Sequence, residues 1–359
     1  MSDSRLLQDS ASRIFRDFYE NGRLNKARQE GWCAELWTAL EETGMTLISV
    51  PESAGGSGGS VVDAAEVLCL AAKYCASVPL AETALLAGWT LAGAGIAIPS
   101  GPLAFAIVGQ GNQIELSRLE GTWRITGSMD HVAWGRVASA VVMLVADSGE
   151  SKVICAPAST YRVEHGANLA GEARDRIVFE AATLDDSCVR ITAPDAAEKA
   201  MQRGALARSV QMSGALDRIL EMTIEYTKQR AQFGRPIIKF QAVQQELARL
   251  AGEAAIAKAS AMSGAAAVMA GNQADIAVAF AKIKAGEAAQ AGASIAHQLH
   301  GAIGVTDEYL LHHSTLRLWA WRSEYGSEAY WANWLGGHAL SRGGGEVWDE
   351  ITGSVSNAK

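Results

Sequence analysis

Two stretches of this 359-residue chain carry residue types suited to gripping an anion, and a third carries candidate acid–base groups. Arg230-Ala-Gln-Phe-Gly-Arg-Pro236, followed by Phe240-Gln241, reads as a helix end, a glycine–proline break and a new helix start. An arginine fixed at such a break can hold a phosphate through two parallel N–H donors, a geometry that lysine lacks. His297-Gln-Leu-His300-Gly301-Ala-Ile-Gly304 closes another long helix. There Gly301 can take the left-handed capping conformation, and Gly304 lets backbone N–H groups approach an anion closely. The third stretch, WAWRSEYGSEAYW, sets Glu324 and Glu328 among tryptophans and tyrosines. A carboxylate in apolar surroundings can be a base of raised pKa, whereas one on an open helix face is merely solvated. His297 with His300, and His312 with His313, come only as pairs with no third ligand at a recognisable spacing, so no metal is expected. The glycines of PESAGGSGGS lack a following Gly-Lys-Ser/Thr and read as a plain loop.

These residues need elements to place them. Residues 5–95 show helical periodicity, as in LWTALEETGMTLI and VVDAAEVLCLAAKYC. From 103 to 195 the texture changes to short β-branched or aromatic runs, LAFAIVG, TWRITG, ASAVVMLVA, KVICAPA and DRIVFEA, separated by turn residues. Beyond Pro194, Met212, Leu216, Ile219, Leu220, Thr223 and Tyr226 mark one face of a long helix. Val243, Leu247, Leu250, Ala251 and Ala254 mark a second, and Ile276, Phe280 and Ile283 begin a third. The expected fold is α+β and mainly α: a helical domain over 1–102, a middle β-barrel domain over 103–195, and a four-helix bundle over 196–359.

Composition narrows the function classes. Half of the chain is apolar (49%), 19% is charged and the formal charge is −8, which argues against nucleic acid or an anionic membrane as the main partner. No apolar run reaches 18 residues and no signal peptide is evident. The five cysteines are odd in number without CxxC spacing and read as reduced thiols, hence a cytoplasmic protein.

The order of domains and both anion motifs resemble the acyl-CoA dehydrogenase family of flavoproteins. RAQFGRPIIKFQAVQQELA is similar to that family's Arg-x-x-Phe-Gly signature, and QLHGAIGVTDEY to its Gln-x-x-Gly-Gly-x-Gly segment. VPESAGGSGGSVVDA resembles the loop of its N-terminal domain, and GTWRITGSMDHVAWGRVASAVVMLVA the start of its β domain. The resemblance implies FAD as cofactor. Arg230 and Gln298 would hold its pyrophosphate, from a neighbouring subunit, with Gln232, Phe233 and Gln241 lining the groove. Gly301, Ala302 and Gly304 would lie below the phosphates, Ala302 standing where a second glycine is usual. His131 and Ala133 fall where an aromatic and a threonine usually flank the flavin, and Ser327 replaces a threonine near it.

By the same resemblance the reaction is α,β-dehydrogenation of an acyl-CoA thioester, with electrons passed to an electron-transfer flavoprotein. Such chemistry needs a carboxylate to remove the α-proton. An ungapped count from Gln298 puts Tyr325 at the usual base position and leaves Glu324 one residue early; a second position used by some members falls on Gly204. Three readings follow: Glu324 shifts by one residue and serves as base, it is only a solvated helix residue, or Tyr325 truly replaces the base. The β domain also lacks the family's alanine/threonine-glutamate-proline-glycine-serine-aspartate run, as in the reduced subunits of heteromeric enzymes of steroid side-chain degradation. The assembly is then a homotetramer or an α2β2 heterotetramer with a homologous subunit. The alternatives are a non-catalytic subunit that helps to bind its partner's FAD, and a flavin monooxygenase on the same fold.

Overall fold

The computed structural model describes residues 3–20, 30–109, 113–147, 150–271, 273–306 and 308–341. Helices α1 (Asp3–Glu20), α2 (Ala34–Glu42), α3 (Val61–Lys73) and α4 (Gly88–Ala94) form the N-terminal layer, with a π-helical segment at Ala81–Ala87 just before α4. Ser60 starts α3 through a reciprocal capping box with Asp63. The glycine-rich loop ahead of it closes tightly, since a Cβ on Gly56 would lie 2.2 Å from the Val50 carbonyl oxygen. Phe15, Leu36, Leu40 and Leu68 are buried in one cluster with Leu206 and Val210, so this layer has no core separate from the C-terminal helices.

The middle strands are β1 (Leu103–Val108), β2 (Gln113–Leu119), β3 (Thr122–Ala133), β4 (Ala140–Asp147), β5 (Glu150–Pro157), β6 (Arg162–Glu164), β7 (Arg174–Asp185) and β8 (Val189–Thr192). They form two four-stranded sheets, ordered β1-β4-β5-β8 and β2-β3-β7-β6. The sheets pack face to face around Ile125, Met129, Val141, Met143, Ile154, Ile177 and Phe179. This corrects the expected barrel: the arrangement is an open sandwich. The edge of β1 is covered instead of being paired into a ring, with Thr83 of the π-helical segment accepting a hydrogen bond from Leu103 N at 3.0 Å. The first sheet is buried on both faces, its outer face by Leu86, Leu91 and Ala200. That accounts for the unbroken apolar runs of β1 and β4, which alternation would not predict.

The C-terminal part begins with α5 (Ala196–Gln229), a 34-residue helix. It continues through the hairpin β9 (Ala231–Gln232) and β10 (Arg235–Pro236) into α6 (Gln241–Ala270), α7 (Ala274–His300), α8 (Leu311–Ser323) and α9 (Glu328–Ser341). α5 to α8 enclose a common core of Met212, Leu216, Ile219, Leu250, Leu318 and a series of alanines. Small residues let the helices come close: a Cβ on Gly292 would meet Leu216 at 2.6 Å. Among the described residues no helix is long and apolar enough to cross a membrane.

Candidate functional site

A cleft of ≈ 610 Å³ lies where β1, β3 and β7 meet α5 and the turn between α8 and α9. That volume falls in the range of sites for small organic ligands and cofactors. Phe105, Ile107 and Met201 contribute apolar walls, and Trp319 and Leu169 stand at its rim, 40% and 65% exposed. His131 and Ala133 both line it. They sit at the end of β3, where the pairing with β7 shifts register between Met129 and Val132. The bulge puts His131 at φ 59 and turns the strand end toward the cleft. Asp175 anchors the bulge from below, accepting from Arg136 N and Nε at 2.8 and 2.9 Å.

The α8–α9 turn supplies the opposite wall. Glu324 follows the last helical residue of α8, and Tyr325 and Gly326 are both left-handed, at φ 54 and 91. Ser327 then heads α9, its hydroxyl accepting from Tyr330 N at 3.3 Å. Glu324 is neither a free base nor a solvated helix residue in this geometry. Its Oε1 accepts from Arg174 Nε and Nη2 at 2.9 and 2.6 Å, and its Oε2 from Arg208 Nε at 2.7 Å. Burial alone would raise its pKa, but the Arg208 and Arg174 guanidiniums outweigh burial and hold it below the usual carboxylate range. A general base needs the reverse shift and a free lone pair aimed at the substrate.

The ion pair extends across all three parts of the fold. Arg208 also donates to Glu82 of the π-helical segment at 2.6 Å. Arg174 approaches Glu172 at 3.5 Å, and Glu172 accepts from Arg317 Nε and Trp321 Nε1 at 3.1 and 2.9 Å. Glu172 is fully enclosed, and Arg317 and Arg174 carry its pKa below the usual value against the cost of burial. Glu82, Arg208, Glu324, Arg174, Glu172 and Arg317 thus alternate in sign, each buried or part-buried charge facing an opposite one.

Tyr325 turns its ring onto α5. Burial pushes its phenol well above the ordinary range, with Glu82 and Glu324 adding to the shift and Arg208 opposing it. Gly204 leaves the space for that ring: a Cβ there would lie 2.2 Å from Tyr325 Cδ1. The two positions at which the resemblance sought a base therefore touch, and neither carries a carboxylate.

The candidate phosphate residues gather at the far end of the bundle. Tyr226 stacks on His300 with centroids 4.4 Å apart and donates to the His300 carbonyl at 3.2 Å, tying the C-terminal ends of α5 and α7 together. Arg230 terminates α5, and Phe233 and Gly234 form the left-handed tip of the β9–β10 hairpin, at φ 51 and 78. Phe233 is 92% exposed. Gln241 opens α6, and Gln298 lies on the last turn of α7. Gly301 has φ 62 with open space where a side chain would be, whereas a Cβ on Gly304 would press on His300 at 3.0 Å. Ala302 is exposed and free of positive φ, so its methyl is accommodated. Arg230, Gln232, Gln241 and Gln298 are exposed and make no side-chain hydrogen bond or ion pair with another described residue. Gly301, at ψ −145, does not take the expected left-handed capping conformation, but an exposed positive-φ glycine beside unengaged arginine and amide donors suits a pyrophosphate.

The cleft and this end of the bundle are well separated. Arg208 lies on α5 and Arg230 directly follows its last residue, and the 22-position separation corresponds to ~33 Å of helix. Among the described residues no three His, Cys, Asp or Glu side chains form a metal-binding group. His297 Nε2 faces the Thr315 hydroxyl at 2.9 Å and His300 Nε2 the Tyr309 hydroxyl at 3.3 Å.

Sequence reasoning missed Glu82, Glu172, Arg174, Arg208 and Lys282. Arg208 gave a usable signal: it lies four residues before Met212 and four after Gly204, a charge on the buried stripe of α5. Nothing local marked Arg174 or Glu172, because the partners Glu324, Arg317 and Trp321 are distant in sequence.

A two-sheet domain clasped between a helical layer and a long bundle, with a cleft where the three meet, is the architecture of the acyl-CoA dehydrogenase fold. The family models for the acyl-CoA dehydrogenase N-terminal domain and C-terminal domain match residues 1–96 and 195–330. The acyl-CoA dehydrogenase FadE27 of Mycobacterium tuberculosis is 30% identical over 305 residues, covering 77% of this chain and 80% of that protein. IpdE2, an acyl-CoA dehydrogenase of the same organism, is 28% identical over 81% of this chain and 82% of its own length. The crystal structure of the ChsE4–ChsE5 complex from M. tuberculosis superposes with a TM-score of 0.85 at 25% identity, over 95% of this chain and 98% of that one. The chain belongs to the acyl-CoA dehydrogenase family of flavoprotein oxidoreductases.

Proposed function

We propose that the chain is a subunit of a cytoplasmic, FAD-dependent acyl-CoA dehydrogenase, working beside a homologous subunit that supplies the base. The observation that carries this reading is the state of the α8–α9 turn. Glu324 is committed to Arg174 and Arg208, and Tyr325 and Gly204 fill each other's space. At the two positions where the family resemblance seeks the base stand Tyr325 and Gly204, neither of which carries a carboxylate. The likeness to ChsE4–ChsE5, a complex of two named chains, supports an α2β2 assembly over a homotetramer.

FAD, when bound, supplies the acceptor for the hydride leaving the β-carbon. Arg230 and Gln298 would hold the pyrophosphate of the neighbouring subunit's FAD, with Gln232, Phe233, Gln241, Gly301, Ala302 and Gly304 around it. The separation of Arg230 from the cleft along α5 is what calls for two subunits. His131, Ala133 and Ser327 belong to the flavin side. A carboxylate of the homologous subunit would take the α-proton as the β-hydride leaves for the flavin, and an electron-transfer flavoprotein would then accept the two electrons. The apolar walls and the Trp319–Leu169 rim favour a bulky acyl group, such as a steroid side chain.

The test is expression of the chain alone and together with a homologous partner, followed by anaerobic addition of acyl-CoAs while flavin absorbance is recorded. Bleaching that requires the partner supports the reading. Bleaching by the chain alone that disappears in Glu324→Gln sinks it in favour of a self-sufficient enzyme. Product formation that depends on oxygen favours a monooxygenase.

A further inference from the structure

Lys282, in the third turn of α7, is fully buried. Its Nζ donates to the carbonyl oxygens of Arg322 at 2.6 Å and Gly326 at 2.7 Å. These two carbonyls bracket the α8–α9 turn. The first belongs to the last turn of α8, where helix geometry leaves carbonyls without a partner. Between them, the Tyr325 carbonyl accepts from Trp331 Nε1 at 2.9 Å. A tyrosine stays at φ 54 only where its surroundings fix it, and here the fixing contacts are identifiable. Glu328 on α9, Arg208 on α5, and Glu324 and Arg322 flanking the turn are the charged groups around Lys282. Burial, which Glu328 and Glu324 only partly offset, brings its ammonium down to about 8.

We propose that Lys282 is the positioning residue of this turn: by bridging Arg322 O and Gly326 O it holds Tyr325 against Gly204 and keeps Glu324 between Arg174 and Arg208. A side chain of α7 thereby sets one wall of the cleft without touching substrate or cofactor. The inference goes beyond the proposed function, because the wall is built in the same way whichever chain supplies the base.

The test compares Lys282→Met with Lys282→Arg in the full-length, assembled protein. In Lys282→Met, amides 323–328 exchange about a hundredfold faster, two hydrogen bonds being lost at about tenfold each, while α3 and the β-sheets keep their protection. The arginine variant, which has donors for both carbonyls, restores slow exchange. Titration of tyrosine absorbance gives a second readout. Tyr325 is held above the ordinary range in the wild type, so in Lys282→Met one further tyrosine ionises near ~10. Adding Tyr325→Phe to that background removes the gain. Wild-type exchange in Lys282→Met, acceleration spread evenly over α7 and α8, or no rescue by arginine overturns the proposal. If Lys282→Met does not fold, Trp331→Phe decides, since of the turn's hydrogen bonds it removes only the one to the Tyr325 carbonyl. A turn that stays protected there supports Lys282 as the hold, and one exchanging at the unprotected rate overturns it.

Discussion

Gly204 and Tyr325 fit together as socket and plug: a Cβ on the glycine would lie 2.2 Å from one ring carbon and 2.4 Å from two others. The ring cannot retreat easily, because its turn is held by Lys282, Trp331 and the Glu324 ion pairs. Gly204→Ala should therefore act as overpacking and cost about 1–3 kcal/mol. In a chain of this size that lowers Tm by roughly 2–4 °C per kcal/mol. Tyr325→Ala in the same molecule should abolish most of the added cost, giving a coupling energy near the single-variant loss. Additive losses measured by thermal or denaturant unfolding would mean that the two residues do not share this space.

Glu324→Gln removes the shared negative charge of two guanidiniums. The expected loss is about 3 kcal/mol, the lower part of the range for a broken buried pair, because the carboxylate keeps some solvent contact. Arg174 and Arg208 retain their other partners, Glu172 and Glu82, so the variant should still fold. In the assembled flavoprotein, acyl-CoA should continue to bleach the flavin. A variant as stable as wild type that no longer bleaches would return Glu324 to the role of base.

The same network fixes the acid limit of stability. Glu172 and Glu324 have folded pKa values below the ordinary carboxylate value of 4.5, so the unfolded chain binds more protons in acid than the folded one. Their contribution is fully present above 4.5 and is lost as pH falls through the lowered folded values. Denaturant midpoints should therefore drop steeply below about pH 4.5 in wild type. In Glu324→Gln the slope should be shallower, with one fewer depressed carboxylate. Equal slopes in the two proteins would show that Glu324 titrates as an ordinary surface group.

How far the sequence could be read follows from the range of the interactions involved. Met212, Leu216 and Ile219 announced α5 because their spacing is local and their burial simple. Arg230, Gly301 and Gly304 were legible as helix-end residues for the same reason. Phe280, expected on an apolar stripe, is 37% exposed, because α7 packs through alanines and glycines and needs no large residue there. The barrel expectation failed at the edge of β1, where a threonine from another segment takes the place of a strand. Glu324 is the clearest case. Its aromatic neighbours suggested a raised pKa, but Arg174 and Arg208, 150 and 116 residues away in sequence, decide the direction.

Arg230→Ala tests the phosphate end of the molecule. Arg230 is exposed at the end of α5 and makes no side-chain hydrogen bond or ion pair with another described residue, so its loss should leave Tm nearly unchanged. If it grips a pyrophosphate, one charge-assisted hydrogen bond of about 1.5–3 kcal/mol disappears, and FAD should bind roughly 10–150-fold more weakly. Tyr226→Phe removes only the bond to the His300 carbonyl and keeps the ring stack, so its effect on FAD should be smaller. Equilibrium dialysis of the intact assembly against FAD measures both. Unchanged retention in Arg230→Ala would place the pyrophosphate elsewhere. It would also remove the reason for joining the Arg230 end of one subunit to the cleft of the next.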